Sequence, residues 1–134
     1  LILDSSAVVA ILLREPSCDR LTDQLEGPAA AAAIGAPTLA ETGIVLAARL
    51  GVKAMTILAR FLQERELIVI PFDQLHWEEA VTAFIRFGKG RHPAGLNFGD
   101  CMTYATAQLA AEPLLCVGED FAKTDLALVA LRSR

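Results

Sequence analysis

Four acidic residues in this chain recur at one kind of place. Asp4 closes the apolar run Leu1-Ile2-Leu3, and Glu41 stands in Thr38-Leu39-Ala40-Glu41, soon after the alanine-rich stretch 29–34. Asp100 stands in Asn97-Phe98-Gly99-Asp100, and Asp120 follows the apolar stretch 113–118. A charge at the edge of a core costs free energy unless something compensates it. One by one the acids have an inexpensive explanation, because T-L-A-E and N-F-G-D both fit capping boxes. Acids at a helix start also gain about 0.3–1 kcal/mol from the macrodipole. Capping, however, does not require an acid after an apolar strand four times over. If the strands are parallel, these helix starts share one sheet edge and the carboxylates converge. Carboxylates crowded into one cleft raise one another's pKa values or gather a cation. Hard oxygen donors suit Mg²⁺ or Mn²⁺, and an ion so held activates water and stabilises charge on a phosphate during in-line displacement.

The elements that must position these acids follow from hydrophobic spacing. Residues 1–4 read as a strand, 7–15 and 17–26 as helical, and 29–34 as a buried strand despite its alanines. The stretches 37–51 and 52–66 have apolar residues at helical period, the first with a proline near its start and a glycine at its end. Residues 67–72, LIVIPF, form the clearest strand. Residues 73–88 predict a helix, GKGRHPAGLN a loop, 98–111 a helix, and PLLCVG a strand. A turn around DFAKTD leads to a possible last strand near LALVAL. Short apolar strands alternating with helices indicate an α/β sandwich on a mainly parallel sheet. Ligands of such folds bind beyond the carboxyl ends of the strands, where strand order switches.

Composition narrows the class. The 134 residues predict one domain, 1–134, with 54% hydrophobic residues and a mean hydropathy of +0.44. No uncharged apolar run reaches the roughly 18 residues of a membrane span, and LIL has no signal-peptide character. A cytoplasmic protein is expected. Three cysteines without C-x-x-C spacing (Cys18, Cys101 and Cys116) argue against a disulfide framework and against zinc. The net charge of −4 disfavours a nucleic-acid partner only weakly, since it equals the charge of the four acids and leaves the remainder neutral. Arg86, Lys89, Arg91 and His92 form the densest basic cluster. Arg86, Lys89 and Arg91 are therefore candidate contacts to the phosphates of a polyanionic substrate, because such contacts need only a cation near the groove. The helices over 37–66 carry many apolar side chains, from Leu39 to Leu62, most of them expected in the core.

Taken together, LILDSSAVVAILLREP, the Glu41 helix, GKGRHPAGLNFGDCMTYATA and PLLCVGEDFAKTDL resemble the PIN domain of VapC-type toxins from type II toxin–antitoxin systems. The resemblance spans almost the whole chain. Its most specific pieces are D-S-S, G-x-N-F-G-D-C and G-E-D-F-x-x-T-D. It implies a three-layer α/β/α sandwich with a central, mainly parallel sheet. It also implies a metal-dependent endoribonuclease, restrained by a cognate VapB-type antitoxin and forming a homodimer. Asp4 and Asp100 match the family's principal metal-binding aspartates, Glu41 its helix-borne acid, and Asp120 its fourth carboxylate, with Glu119 and Asp125 as neighbouring alternatives. Ser6 matches a supporting hydroxyl. The implied metal is Mg²⁺, with Mn²⁺ as a substitute.

Rival chemistries fare worse. The glycines of GRHPAG have P-loop spacing, but Leu96-Asn97 stands where Lys-Ser/Thr is required. An aspartyl-phosphate phosphatase would want a second aspartate at Ser6, and no G-x-S-x-G elbow exists. A receiver-like Mg²⁺-binding signalling domain needs an acidic pair at the end of the first strand, which is not evident; acetyl-phosphate labelling discriminates it. A catalytically silent binding module of the same fold is the other alternative, and metal titration discriminates it.

Overall fold

Ile2 and Leu3 point to opposite faces of one sheet, and both are buried. Ile2 packs with Ala80, Ala83, Phe87 and Tyr104, whereas Leu3 packs with Val8, Leu21, Ile34 and Leu46. The same alternation separates Leu114 from Leu115. Strands buried on both faces read as continuous apolar runs and belong to sheets covered by helices on each side. The computed structural model, which describes residues 1–26 and 31–131, has that three-layer arrangement. In chain order its elements are β1 (Ile2–Leu3), α1 (Ser5–Leu12), α2 (Cys18–Leu25), β2 (Ala33–Gly35), α3 (Ala36–Leu50) and α4 (Lys53–Glu64). They continue with β3 (Ile68–Ile70), α5 (Gln74–Phe87), α6 (Phe98–Ala110) and β4 (Leu114–Leu115). A single 3₁₀ turn, Phe121–Lys123, follows.

The strand order is β3-β2-β1-β4, and every pairing is parallel. The chain steps outward from β1 through β2 to β3, then returns to lay β4 on the other side of β1. Strand order therefore switches between β1 and β4, which puts the expected ligand crevice at Asp4 and at the residues after Leu115.

Local chemistry sets the boundaries. Helix α1 begins at Ser5, earlier than the spacing predicts, because the Asp4 side chain accepts from Ser6 N and caps it. Helix α3 begins at Ala36, with Pro37 in its first turn and Gly51 closing it at φ +66°. The alanine run yields a strand only from Ala33; positions 29 and 30 lie outside the described residues. The expected last strand at LALVAL is a correction. It forms one isolated bridge, Leu114 to Leu128, after a chain that leaves the 3₁₀ turn in irregular backbone. Around that bridge Leu114 N donates to Ala127 O and Val129 N donates to Leu114 O, both at 2.9 Å, and just before it Asp125 accepts from Tyr104 Oη and from Arg86 Nη2 at 3.1 Å. No helix among the described residues is long and apolar enough to cross a membrane.

Candidate metal centre at the β1–β4 crevice

Asp4 is 6% exposed, at the carboxyl end of β1, and its carboxylate accepts three hydrogen bonds. Oδ2 accepts from Ser6 Oγ at 2.6 Å and from Ser6 N at 3.2 Å, and Oδ1 accepts from Thr103 Oγ1 at 2.9 Å. Ser6 Oγ in turn accepts from Val117 N at 3.0 Å, which ties the end of β4 to the start of α1 across the switch point. A carboxylate offers about four lone-pair positions. Three are taken, leaving room for roughly one more contact on the crevice side.

Asp100 arrives on the first turn of α6. Asn97 Oδ1 accepts from Asp100 N at 2.9 Å while Asp100 Oδ2 accepts from Asn97 N at 3.0 Å, so the capping box expected from N-F-G-D is present. Capping and site membership are compatible, since the cap uses one oxygen and leaves the other. Burial pushes the Asp100 carboxyl above the usual carboxylate range, and the negative charges of Asp4, Asp120 and Glu41 push it further, against the Asn97 hydrogen bond. The same field acts on Cys116, pushed up to about 12 by burial and by Asp4, Glu119 and Asp100. The four acids named from the sequence therefore share one electrostatic neighbourhood.

The expected capping box at T-L-A-E does not form. Helix α3 starts two residues before Thr38, with no acid in its first turn, so Glu41 lies in the second turn and caps nothing. Thr38 is buried inside the helix, and its hydroxyl is 3.0 Å from Thr103 Oγ1. Glu41 reaches toward α6, where its carboxylate occupies the space that a side chain at position 99 would take: a methyl on Gly99 would overlap Glu41 Oε2. Thr103 and Gly99 are the site residues that sequence reading missed. The available signal was helical spacing, because Thr38 lies one turn before Glu41 and Thr103 one turn after Asp100.

Asp120 is exposed and leads into the 3₁₀ turn. Asp125 is committed elsewhere: Tyr104 and Arg86 hold its carboxyl below the usual range. Arg86 is thereby engaged with Asp125 and also stacks over Phe87 at 4.6 Å. Arg91 is exposed and donates from Nε to Ile85 O at 3.3 Å, and Lys89 is exposed in the same loop, which ends at the Asn97 cap of α6.

Among the described residues, no three acid, cysteine or histidine side chains form a ready-made metal cage. No ion pair with lysine, arginine or histidine neutralises Asp4, Glu41, Asp100 or Asp120 there either. The donor set fits Mg²⁺ better than a caged ion, because Mg²⁺ binds through one or two carboxylates and keeps several waters.

Comparison with known proteins agrees with this geometry. A sequence profile of the PIN domain matches residues 1–126. Ribonuclease VapC36 of Mycobacterium tuberculosis is 51% identical over 127 residues, covering 94% of this chain and 91% of that protein. Ribonuclease VapC30 of the same species is 39% identical, covering 98% and 99%. Among solved structures, the Mycobacterium tuberculosis VapC20 toxin, described as cleaving the sarcin-ricin loop, superposes with a TM-score of 0.78 at 16% identity, covering 96% and 97%. VapBC2 from Rickettsia felis, bound to a promoter DNA fragment, gives 0.74 at 20% identity, covering 98% of each chain.

Proposed function

The chain belongs to the PIN-domain family, among its VapC ribonucleases, and on that premise we propose that it cleaves RNA at the β1–β4 crevice with Mg²⁺ or Mn²⁺ as cofactor. It is a ribonuclease of the toxin–antitoxin kind. The observation that carries the metal reading is the Asp100 carboxyl, raised by burial and by three other carboxylates, none of them in an ion pair among the described residues.

Asp4 and Asp100 are the metal ligands in this reading. When bound, the ion would neutralise charge on the phosphate and lower the pKa of a water that attacks phosphorus. The chain's own residues supply the rest. Ser6 holds Asp4 in one orientation through Oδ2. Glu41, seated against Gly99, and Asp120 complete the negative rim and would accept hydrogen bonds from the attacking water. Lys89 and Arg91, on the loop that runs into α6, attract the RNA backbone. Arg86 has its charge partly committed to Asp125, so it contributes less. A VapB-type antitoxin and a second copy of the chain are the partners of the same reading. Co-purification with the antitoxin and the mass of the free toxin by light scattering test them.

Purified protein in Mg²⁺ is expected to give discrete ends in total RNA. EDTA should stop cleavage, and Mn²⁺ in excess of the chelator should restore it. Undiminished cleavage in EDTA would show that the carboxylates work without a metal. In the same assay, Lys89→Ala with Arg91→Ala is expected to raise KM and to flatten its salt dependence while leaving kcat nearly unchanged. An unaltered salt slope would remove this loop from the interface.

A further inference from the structure

Asp4 Oδ1 has one hydrogen-bond donor, and it comes from far away in sequence. Thr103 Oγ1, on α6, reaches it at 2.9 Å in a fully buried position. A threonine hydroxyl carries one proton. If Thr103 spends that proton on Asp4, its 3.0 Å contact with Thr38 Oγ1 must run the other way, with Thr38 donating and Thr103 accepting. Thr42 Oγ1 donates to Thr38 O at 2.7 Å, so the end of the chain on α3 is itself braced. Both threonines are about 2% exposed or less, too buried for water to substitute for the hydroxyls.

We propose that Thr103, backed by Thr38, is a positioning residue that fixes the orientation of the Asp4 carboxylate for the metal. This rests on the ribonuclease reading above. The chain Thr38 to Thr103 to Asp4 locks Oδ1 from one side of the carboxylate, while Ser6 locks Oδ2 from the other. With both oxygens held, the carboxylate cannot rotate freely, which fixes where its remaining lone pair can meet an ion. Thr38 also lies one turn from Glu41, and Thr103 one turn from Asp100. The hydroxyl pair therefore fixes the two acid-bearing helices against each other as well as against β1. Donors that fix a metal-binding carboxylate are commonly worth 10–100-fold in metal affinity.

The test measures Mn²⁺ binding by electron paramagnetic resonance in the whole protein, without RNA. Thr103→Val is expected to weaken Mn²⁺ binding about 10- to 100-fold, and Thr103→Ser to restore it. Thr38→Val should cost less, because Thr103 keeps its proton on Asp4. A metal-free readout separates this proposal from the nuclease assignment. In a thermal-unfolding double-mutant cycle, Thr103→Val should lower the melting temperature far less in the Asp4→Ala background than in the wild type. Independent, additive effects in that cycle would overturn the proposal whatever the metal result. So would wild-type Mn²⁺ affinity in Thr103→Val. Failure of the wild type to bind Mn²⁺, with the cycle still coupled, would overturn the metal assignment and leave Thr103 as the residue that orients Asp4.

Discussion

Asp100→Asn is expected to abolish RNA cleavage while raising the melting temperature of the metal-free protein. The two effects come from the same feature. Asp100 sits half-buried in the field of Asp4, Asp120 and Glu41, and its raised pKa means that ionising it is unfavourable in the folded state. Asparagine removes that penalty yet keeps an oxygen that accepts from Asn97 N, so the cap survives. Cleavage should fall at least about 100-fold, as when a group that stabilises developing charge is removed. Mg²⁺ should stabilise the wild type by about 2.7 kcal/mol at one hundred times its dissociation constant, roughly 10 °C, and should barely move the variant. Asp4→Asn is the contrasting case. Its cleavage should be equally lost, but its carboxylate receives three hydrogen bonds, so one asparagine amide would face donors and stability should fall. Calorimetry with and without Mg²⁺, beside the cleavage assay, reads all four outcomes. Two variants that both lose stability would mean that the Asp100 charge is not frustrated.

Gly99→Ala should also damage the site, although it places a better helix former inside a helix. Alanine gains up to about 1 kcal/mol in helix propensity. Its methyl, however, would overlap the Glu41 carboxylate, which is the far end of a flexible side chain and therefore yields before the backbone does. The expected result is a folded protein with an almost unchanged melting temperature, a displaced Glu41, and cleavage reduced about 10- to 100-fold. Glu41→Gln should show a similar loss, and the double variant should be no worse than either alone, since both remove one function. Multiplying losses would assign Gly99 a role independent of Glu41.

Much of this was legible in one dimension. The parallel α/β order followed from LILD, LIVIPF and PLLC alternating with helical spacing, which put the acids on one sheet edge, and the observed strand order then located the crevice at Asp4. N-F-G-D signalled both the cap and the site acid. T-L-A-E misled, because the capping-box pattern cannot tell a first turn from a second. Gly35 and Pro37 began α3 earlier, and Thr38 went into the core. LALVAL looked like a strand by composition, and it pairs with β4 at a single bridge, Leu114 to Leu128, without extending into a ladder. The basic loop looked uniform, yet Arg86 turned out to be ion-paired while Lys89 stands exposed.

The sequence by itself determined the layers, the positions of Asp4 at the end of β1 and Asp100 at the start of α6, and the family, because hydrophobic period and local motifs are short-range and survive without coordinates. Tertiary structure alone decided which groups act on which. Separations of 99 positions from Asp4 to Thr103 and of 65 from Thr38 to Thr103 hide hydrogen bonds that hold the first carboxylate in place. The space that Glu41 fills exists only because the residue opposite has no Cβ. Hydrogen bonds and excluded volume act over a few ångströms in space, and no spacing rule along the chain encodes that distance.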